Sequence, residues 1–279
     1  MVDIQILGVA INSEYWDSQP SISSDGMTLY FSSDRPASKS GTNIFYSKRT
    51  REGWSKAMEL ESVNSNSDDM SPFIAPDNKT FTMSSNRSGG EGGFDIYVAK
   101  VNSKMNTYDF KNAGSSINTE YDEHFYTIAV NTDMAFFSSN KPSNKMNYNI
   151  YSTIPNPHVA EDVVFVHGKE TDAMTNIPLG SNISIYDLTN GELVASMKSD
   201  DVSGEYSAVL TANRSYSLTA EKEGYLFYSE NFNIPKEIET QDIEKDISLS
   251  PIKEGKTRLL IFFDFDKSSL KDESKPELS

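Results

Sequence analysis

An all-β chain built from repeated four-stranded units is the fold class this sequence predicts, and three observations predict it. Segments 11–46, 63–98 and 117–152 align on one another without a gap. Within each, β-branched and aromatic residues alternate with polar ones, which is strand periodicity and excludes a solenoid of helix pairs. The composition agrees, since 14 Tyr, 15 Phe, 15 Gly and 11 Pro in 279 residues suit many short strands joined by turns.

The repeat carries most of the information. Asn12/Asn64/Asn118, Ile22/Ile74/Ile128, Ser32/Ser84/Ser138, Ser33/Ser85/Ser139 and Ile44/Ile96/Ile150 are identical in all copies. Chemistry is kept at Asp25/Asp77/Asn131, Asp34/Asn86/Asn140, Arg35/Arg87/Lys141 and Phe45/Tyr97/Tyr151. Each unit reads as strand, tight turn, strand, polar loop, strand. In the first, Asp25-Gly26 suits a hairpin turn that needs positive φ, and a fourth strand is expected near 57–60. Four short antiparallel strands in about 50 residues is the pattern of propeller blades. A partial β-propeller of three visible four-stranded blades is therefore expected over 1–157.

The stretches "INSEYWDSQPSISSDGMTLYFSSDR" and "VNSNSDDMSPFIAPDNKTFTMSSNRSGGEGGFDIY", with "INTEYDEHFYTIAVNTDMAFFSSNK" as a weaker third copy, resemble WD-like propeller repeats of the TolB type common in Bacteroidetes envelope proteins. The third copy departs by placing Tyr126 where Pro20 and Pro72 stand, and Asn131-Thr132 where the Asp-Gly turn stands. Propellers close with at least about four blades. Three units, preceded by residues 1–10 that read as the outer strand of another, predict a slice of a longer protein. On that expectation the missing export signal at the N-terminus carries no weight; no stretch reaches the ~18 apolar residues of a membrane span.

A second module is expected over 158–252. Alternating segments at 163–167, 183–187, 193–198, 205–210, 216–222, 226–232 and 243–249, with turns between them, predict a β-sandwich. Gly204-Glu205-Tyr206 and Lys222-Glu223-Gly224-Tyr225 resemble recurring positions of the carboxypeptidase-regulatory-like, transthyretin-like sandwich. That resemblance implies a fold and no peptidase chemistry. Residues 256–279 begin with an apolar strand at 259–265 and turn toward a helix that Ser268 or Ser269 could cap. The string "IFFDFDKSSLKDESKPEL" resembles the opening of an α/β OmpA-like domain, here truncated. The resemblance implies binding to peptidoglycan through an Asp and an Arg that lie beyond Ser279.

Charge and residue types exclude several function classes. Lys plus Arg total 25 against 41 Asp plus Glu, a formal charge of -16. That field repels phosphate backbones, so no nucleic-acid partner is expected, nor a basic membrane patch. Cys is absent, which removes disulfides, thiolate catalysis and Cys-based metal sites. His124, His158 and His167 are the only histidines and show no ligand spacing. There is no Gly-x-Ser-x-Gly elbow or Walker loop. The Gly-rich stretch 88–94 sits between strands, so a connecting loop is expected in place of a phosphate cradle.

Carboxylate pairs at Asp68-Asp69, Asp122-Glu123 and Asp264/Asp266 could suggest glycosidase or calcium chemistry. Asp17, Asp69 and Glu123 nevertheless share one repeat position, which argues for an architectural role. "SSDGMTLY" is similar to the Asp-box turn of sialidases but lacks its spacing and its Trp. Arg35, Arg87 and Lys141 are expected to bridge neighbouring blades. Non-repeated Trp16, Trp54 and His124 are the remaining functional candidates. No catalytic, cofactor-binding or metal residue is assigned, and no cofactor is expected.

The resulting expectation is a non-enzymatic envelope scaffold, periplasmic and associated with the outer membrane. Its propeller would bind other envelope proteins of a secretion or envelope assembly, and its OmpA-like domain would bind peptidoglycan. The alternative is a carbohydrate-active or peptide-hydrolysing enzyme whose propeller carries or gates the active site.

Overall fold

Turn chemistry sets the first hairpin of each repeat. Asp25 Oδ1 accepts hydrogen bonds from Ser23 Oγ at 2.5 Å and the Met27 amide at 2.9 Å, while Gly26 takes the positive φ of +69°. In the second repeat Asp77 holds the amides of Lys79 and Thr80 at 2.9 and 2.8 Å. The computed structural model describes residues 4–39, 41–50, 52–102, 107–141, 147–237 and 242–252. It divides into two units, Met1–Asp162 and Val163–Ser279.

Three antiparallel sheets make up the first unit. Strands β1 (Asp17–Ile22), β2 (Thr28–Ser33), β3 (Asn43–Thr50), β4 (Gly53–Trp54) and β5 (Met58–Glu59) run in the order β1-β2-β3-β4, with β5 also on β3. The second sheet is β6 (Asp69–Ile74), β7 (Thr80–Ser85), β8 (Asp95–Asn102) and β9 (Thr107–Asn112). The third, among the described residues, holds only β10 (Glu123–Ile128), β11 (Ala135–Ser139) and β12 (Asn149–Thr153). Every first strand carries a bulge at one repeat position, where Gln19, Ser71 and Phe125 adopt φ of 55°, 54° and 58°.

Stacking is specified by the columns that are invariant in the sequence. Asn64 Oδ1 accepts the Ile44 amide at 2.8 Å and its Nδ2 donates to the Ile44 carbonyl at 3.0 Å. Asn118 does the same to Ile96, at 2.7 and 2.9 Å. One side chain thus bonds both backbone groups of a residue just past the end of the β5 or β9 pairing, where the Leu60 and Ala113 amides also reach the isoleucine carbonyls at 3.0 and 2.9 Å. Ile44 and Ile96 are wholly buried, in cores that each draw on two successive sheets.

The expected role of Arg35 and Arg87 as bridges between neighbouring units is corrected. Each closes back on its own repeat. Arg35 Nη2 donates to Asp17 and, at 2.6 Å, to the Ile11 carbonyl. Arg87 Nη2 reaches Asp69 at 2.6 Å and the Val63 carbonyl at 2.9 Å. Lys141 lacks the guanidinium fork; its Nζ lies over the Tyr151 ring at 4.7 Å, and Glu123 instead accepts from the Thr119 and Ser139 hydroxyls.

The expected fold class is also corrected. Among the described residues the fold is all-β, but the sheets are open and form no propeller. Closure requires every sheet to be covered on both faces, whereas Ile150, the third member of the Ile44 column, is 81% exposed. The third unit has three described strands, not four. The expected strand at 259–265, the cap at Ser268 or Ser269, Asp264/Asp266 and the OmpA-like segment as a whole lie outside the described residues.

In the second unit, β13 (Val163–Asp172), β14 (Asn182–Asp187), β15 (Glu192–Lys198), β16 (Glu205–Thr211), β17 (Arg214–Glu221), β18 (Tyr228–Ile234), β19 (Asp242–Glu244) and β20 (Ile247–Leu249) form two open sheets. One is β15-β14-β17-β18; in the other, β13 lies between antiparallel β16 and the parallel β19 and β20. Period-two burial explains their shared core, with Val164, Val166 and Leu210 of one sheet packed with Ile183, Ile185 and Leu218 of the other. The seventh expected strand is two short ones, and nothing in this arrangement assigns the unit to the transthyretin-like family. Gly204 (φ +71°) is required, because a Cβ there would overlap the Glu170 carbonyl.

Two expected outcomes follow from these contacts. Asn64→Ala, which orphans the buried Ile44 amide, should lower unfolding free energy by about 1–3 kcal/mol in urea titrations, while Asn12→Ala, whose side chain makes an exposed 3.4 Å contact to the Gly8 carbonyl, should change it by less than about 0.5 kcal/mol. At Asp187, burial pushes the carboxyl up, but the Arg214 ion pair at 2.6 Å and the Thr189 amide outweigh it and hold the pKa below the usual range. The stability this contributes is complete above the ordinary carboxylate pKa and lost as pH falls through the lowered folded value. Arg214→Met should therefore destabilise by about 3–5 kcal/mol at neutral pH and flatten the acid limb of stability against pH.

Candidate functional site

Side chains alternate along β11, so Phe136 and Ser138 share the face on which Ser138 pairs with Ile150 and Phe136 with Ser152. In the first two sheets the matching face is covered by the sheet that follows. Tyr30 there is 8% exposed, and Thr82, Ile44 and Ile96 are 0%. In the third sheet, Phe136 is 40% and Ile150 81% exposed. Phe125 and Tyr148 stand open as well, each at 47%. Tyr148 occupies the column of Thr42 and Phe94, whose carbonyls accept the amides of Asp69 and Glu123 from the next sheet at 2.8 and 2.6 Å. The uncovered face is thus one half of an interface that the chain completes twice elsewhere.

His124 sits at the margin of this surface, tilted against Phe94 with ring centroids 4.6 Å apart and flanked by Tyr148 at 5.6 Å and Phe125 at 6.0 Å. Burial pushes its pKa below the ordinary histidine value, against the pull of Asp122 and Glu123. The ring is buried among these aromatics, at 8% exposure. Phe125 is a bulky residue at positive φ, a conformation that its repeat position imposes.

The other sequence candidates are not brought together. The His158 ring reaches the Ala113 carbonyl at 3.1 Å, and His167 pairs with Asp242 at 2.7 Å in the second unit. Trp54 packs into the core of the first sheet, and Trp16 is 44% exposed, with its amide on Asp34. Asp68 and Asp122 are spent on backbone, holding the amides of Thr42 and Phe94 at 2.9 and 3.0 Å. Asp69 and Glu123 are fully buried in their own corners. Among the described residues no group of three or more His, Asp or Glu is placed to hold a metal ion.

The Gly-rich loop has a local explanation. A Cβ at Gly92 would overlap the Thr119 carbonyl, and one at Gly90 or Gly93 would overlap the carboxylates of Asp95 or Asp122. Those carboxylates take the Glu91 and Phe94 amides at 2.7 and 3.0 Å, so these amides serve the protein's own acids. In the second unit a shallow groove of about 380 Å³ is lined by Asn182, Glu221, Lys222, Glu223, Tyr225 and Phe227. Lys222 Nζ is engaged by the Gly180 carbonyl at 2.7 Å, and Tyr225 by Asp172 at 2.9 Å.

Sequence reasoning passed over Phe136, Tyr148 and Ile150. Ile150 belongs to an invariant apolar column and so reads as core; only the lack of a covering sheet makes it surface.

No family model matches the chain, and no curated protein does. Among solved structures, it is similar to the C-terminal fragment of the pilus adhesin SpaC from Lactobacillus rhamnosus GG, at 11% identity over 84% of this chain and 96% of that one, with a TM-score of 0.30. The full-length major pilin SpaD from Corynebacterium diphtheriae is 10% identical over 83% and 77%, with a TM-score of 0.29. GBS52, the minor pilin of Streptococcus agalactiae, is 12% identical over 60% and 72%, with a TM-score of 0.26. At such scores these likenesses assign neither family nor activity. The expected membership in a propeller-bearing, OmpA-type envelope family is corrected: no family model of either kind matches, and the described sheets are open.

Because the folded-state pKa of His124 is lowered, the unfolded chain binds more protons just below the ordinary value near 6.5. Its contribution to stability is complete above that value and is lost as pH falls toward the lowered one. His124→Phe should keep the aromatic packing and shrink the difference between urea midpoints at pH 7.5 and pH 5; an unchanged difference would show that His124 titrates normally.

Proposed function

We propose that this chain is a non-enzymatic structural or adaptor protein of the cell surface or envelope that docks other proteins of that compartment on the open face of its third sheet. The observation that carries this reading is the exposure of Phe125, Phe136, Tyr148 and Ile150 on one sheet, at positions whose counterparts in the other two repeats lie under a neighbouring sheet or support one. A contiguous apolar face rimmed by polar groups is characteristic of protein interaction sites. The acidic balance supports a protein partner over nucleic acid. The conserved carboxylates of the repeat are committed to turns and to arginines, which leaves them poorly suited to acid/base work.

The test is affinity capture from a surface and envelope extract by the wild-type chain beside a Phe136→Ser/Ile150→Asp variant. A set of proteins retained by the wild type and lost by at least about tenfold with the variant is expected. Identical retention by both, or turnover of a glycoside or peptide panel by the purified chain, would overturn the reading.

A further inference from the structure

We infer that the groove of the second unit binds a neutral saccharide chain, at a site separate from the docking face of the third sheet and independent of it. The groove belongs to the sheet β15-β14-β17-β18. Asn182 opens β14 and stands opposite Glu221, the last residue of β17. Their neighbours Ile183 and Ala220 are wholly buried in the core, so alternation turns Asn182 and Glu221 to the outer face, where both are exposed. Lys222, Glu223, Tyr225 and Phe227, from the connection between β17 and β18, complete the lining.

That connection is tied down along its length. The Lys222 carbonyl accepts the Tyr225 amide at 3.1 Å, the Leu226 amide reaches the Ser250 carbonyl at 2.8 Å, and the Ile252 amide reaches the Gly224 carbonyl at 2.9 Å. Tyr225 donates its hydroxyl to Asp172 Oδ2 at 2.9 Å, and Asp172 Oδ1 is itself held by the amides of Met174 and Thr175, both at 2.8 Å. The Tyr225 ring is thus fixed at its tip while it packs against the core. Lys222 is fixed as well, by its Nζ on the Gly180 carbonyl at 2.7 Å. These contacts set the walls before any ligand arrives, which lowers the ordering cost of binding.

Other groups of the groove have no such duty. Among the described residues, none gives the side chains of Asn182, Glu221 or Glu223 a hydrogen bond or an ion pair. Phe227 is 37% exposed and takes no part in the buried core. The two carboxylates accept hydrogen bonds, the Asn182 amide donates and accepts, and the Lys222 ammonium keeps donors beyond the one given to Gly180. The phenyl ring adds an apolar plate. A sugar ring, with an apolar C–H face edged by hydroxyls that both donate and accept, matches every one of these groups. An anion would meet Glu221, Glu223 and a total charge of -16. A cation would use the carboxylates alone, leave the amide and ammonium donors idle and be repelled by Lys222. At about 380 Å³ the groove lies toward the small end of ligand sites, and its shallowness suits one face of a flat ring.

Titration of the full chain with cellohexaose, maltohexaose, mannohexaose and N-acetylchitohexaose, followed by calorimetry and by amide NMR shifts, tests the assignment. At least one of these sugars should bind uncleaved with a Kd at or below about 1 mM, with shifts concentrated at residues 180–182 and 221–227. Phe227→Ala and Asn182→Ala should each weaken that binding by about tenfold or more, while Phe227→Tyr should retain it. Because Asn182 and Phe227 lie outside the buried core, an unchanged urea midpoint is expected and separates lost binding from lost fold. No saturable binding by any of the four sugars, unchanged affinity in both alanine variants, or a preference for hexalysine that those variants abolish would overturn the proposal. The Phe136→Ser/Ile150→Asp variant should bind sugar as the wild type does, so the docking role and the saccharide site stand or fall separately.

Discussion

The bidentate contact between an asparagine amide and the backbone of an isoleucine just past the end of the last strand's pairing is the interaction on which the first unit depends. Where that pairing stops, backbone amides and carbonyls must find other partners once buried. Asparagine has a donor and an acceptor on a short stem, so Asn64 on Ile44 and Asn118 on Ile96 replace the pairing that another strand would provide. An aspartate would offer no donor. Because the amide belongs to the following repeat, satisfying the edge also sets where the next sheet lies, and the cores shared between sheets form on that placement.

Around this contact, other recurring positions act within and between repeats, as where the Ser32 hydroxyl accepts the Ser71 amide at 3.1 Å. The bulge at Gln19, Ser71 and Phe125 turns backbone toward a neighbouring sheet, and Gln19 Oε1 accepts the Ser71 amide at 2.7 Å across that gap. Buried Asp69 is tolerable because Arg87 and two groups of Ser65 surround it. Where the arginine becomes Lys141, the acid becomes Glu123, whose longer stem reaches the hydroxyls of Thr119 and Ser139. Charge pairing and hydroxyl pairing are thus two solutions to one burial problem. Neither leaves a carboxylate free for chemistry.

The docking face arises from interruption of the pattern, without any special motif. Phe136 and Ile150 obey the alternation that makes Tyr30, Ile44 and Ile96 core, and they become surface because no sheet covers them. The aromatic cluster of Phe94, His124, Phe125 and Tyr148 is the part that the repeat does not dictate, and it borders the uncovered face. The second unit differs in kind: its two sheets enclose one core within a single stretch of chain, and its polar turns, such as that of Asp187 with Thr189 and Arg214, are satisfied internally.

The sequence by itself determined the strands, because alternation and turn chemistry are local: Asp25-Gly26 and the Asp77 turn follow from a few adjacent residues. It also marked which columns matter, since Asn64, Asn118, Ile44 and Ile96 recur. It did not reveal what those columns do, nor that Arg87 turns back to Asp69, because these contacts join groups 18 or more residues apart. The partial propeller was expected in error for the same reason. A repeat specifies how one sheet meets the next, whereas a ring requires the last to meet the first, and that depends on geometry summed over every interface. Only the tertiary structure decided that Ile150 lies open while Ile44 does not: burial belongs to what covers a residue, and no property of the residue or its neighbours in sequence distinguishes the two.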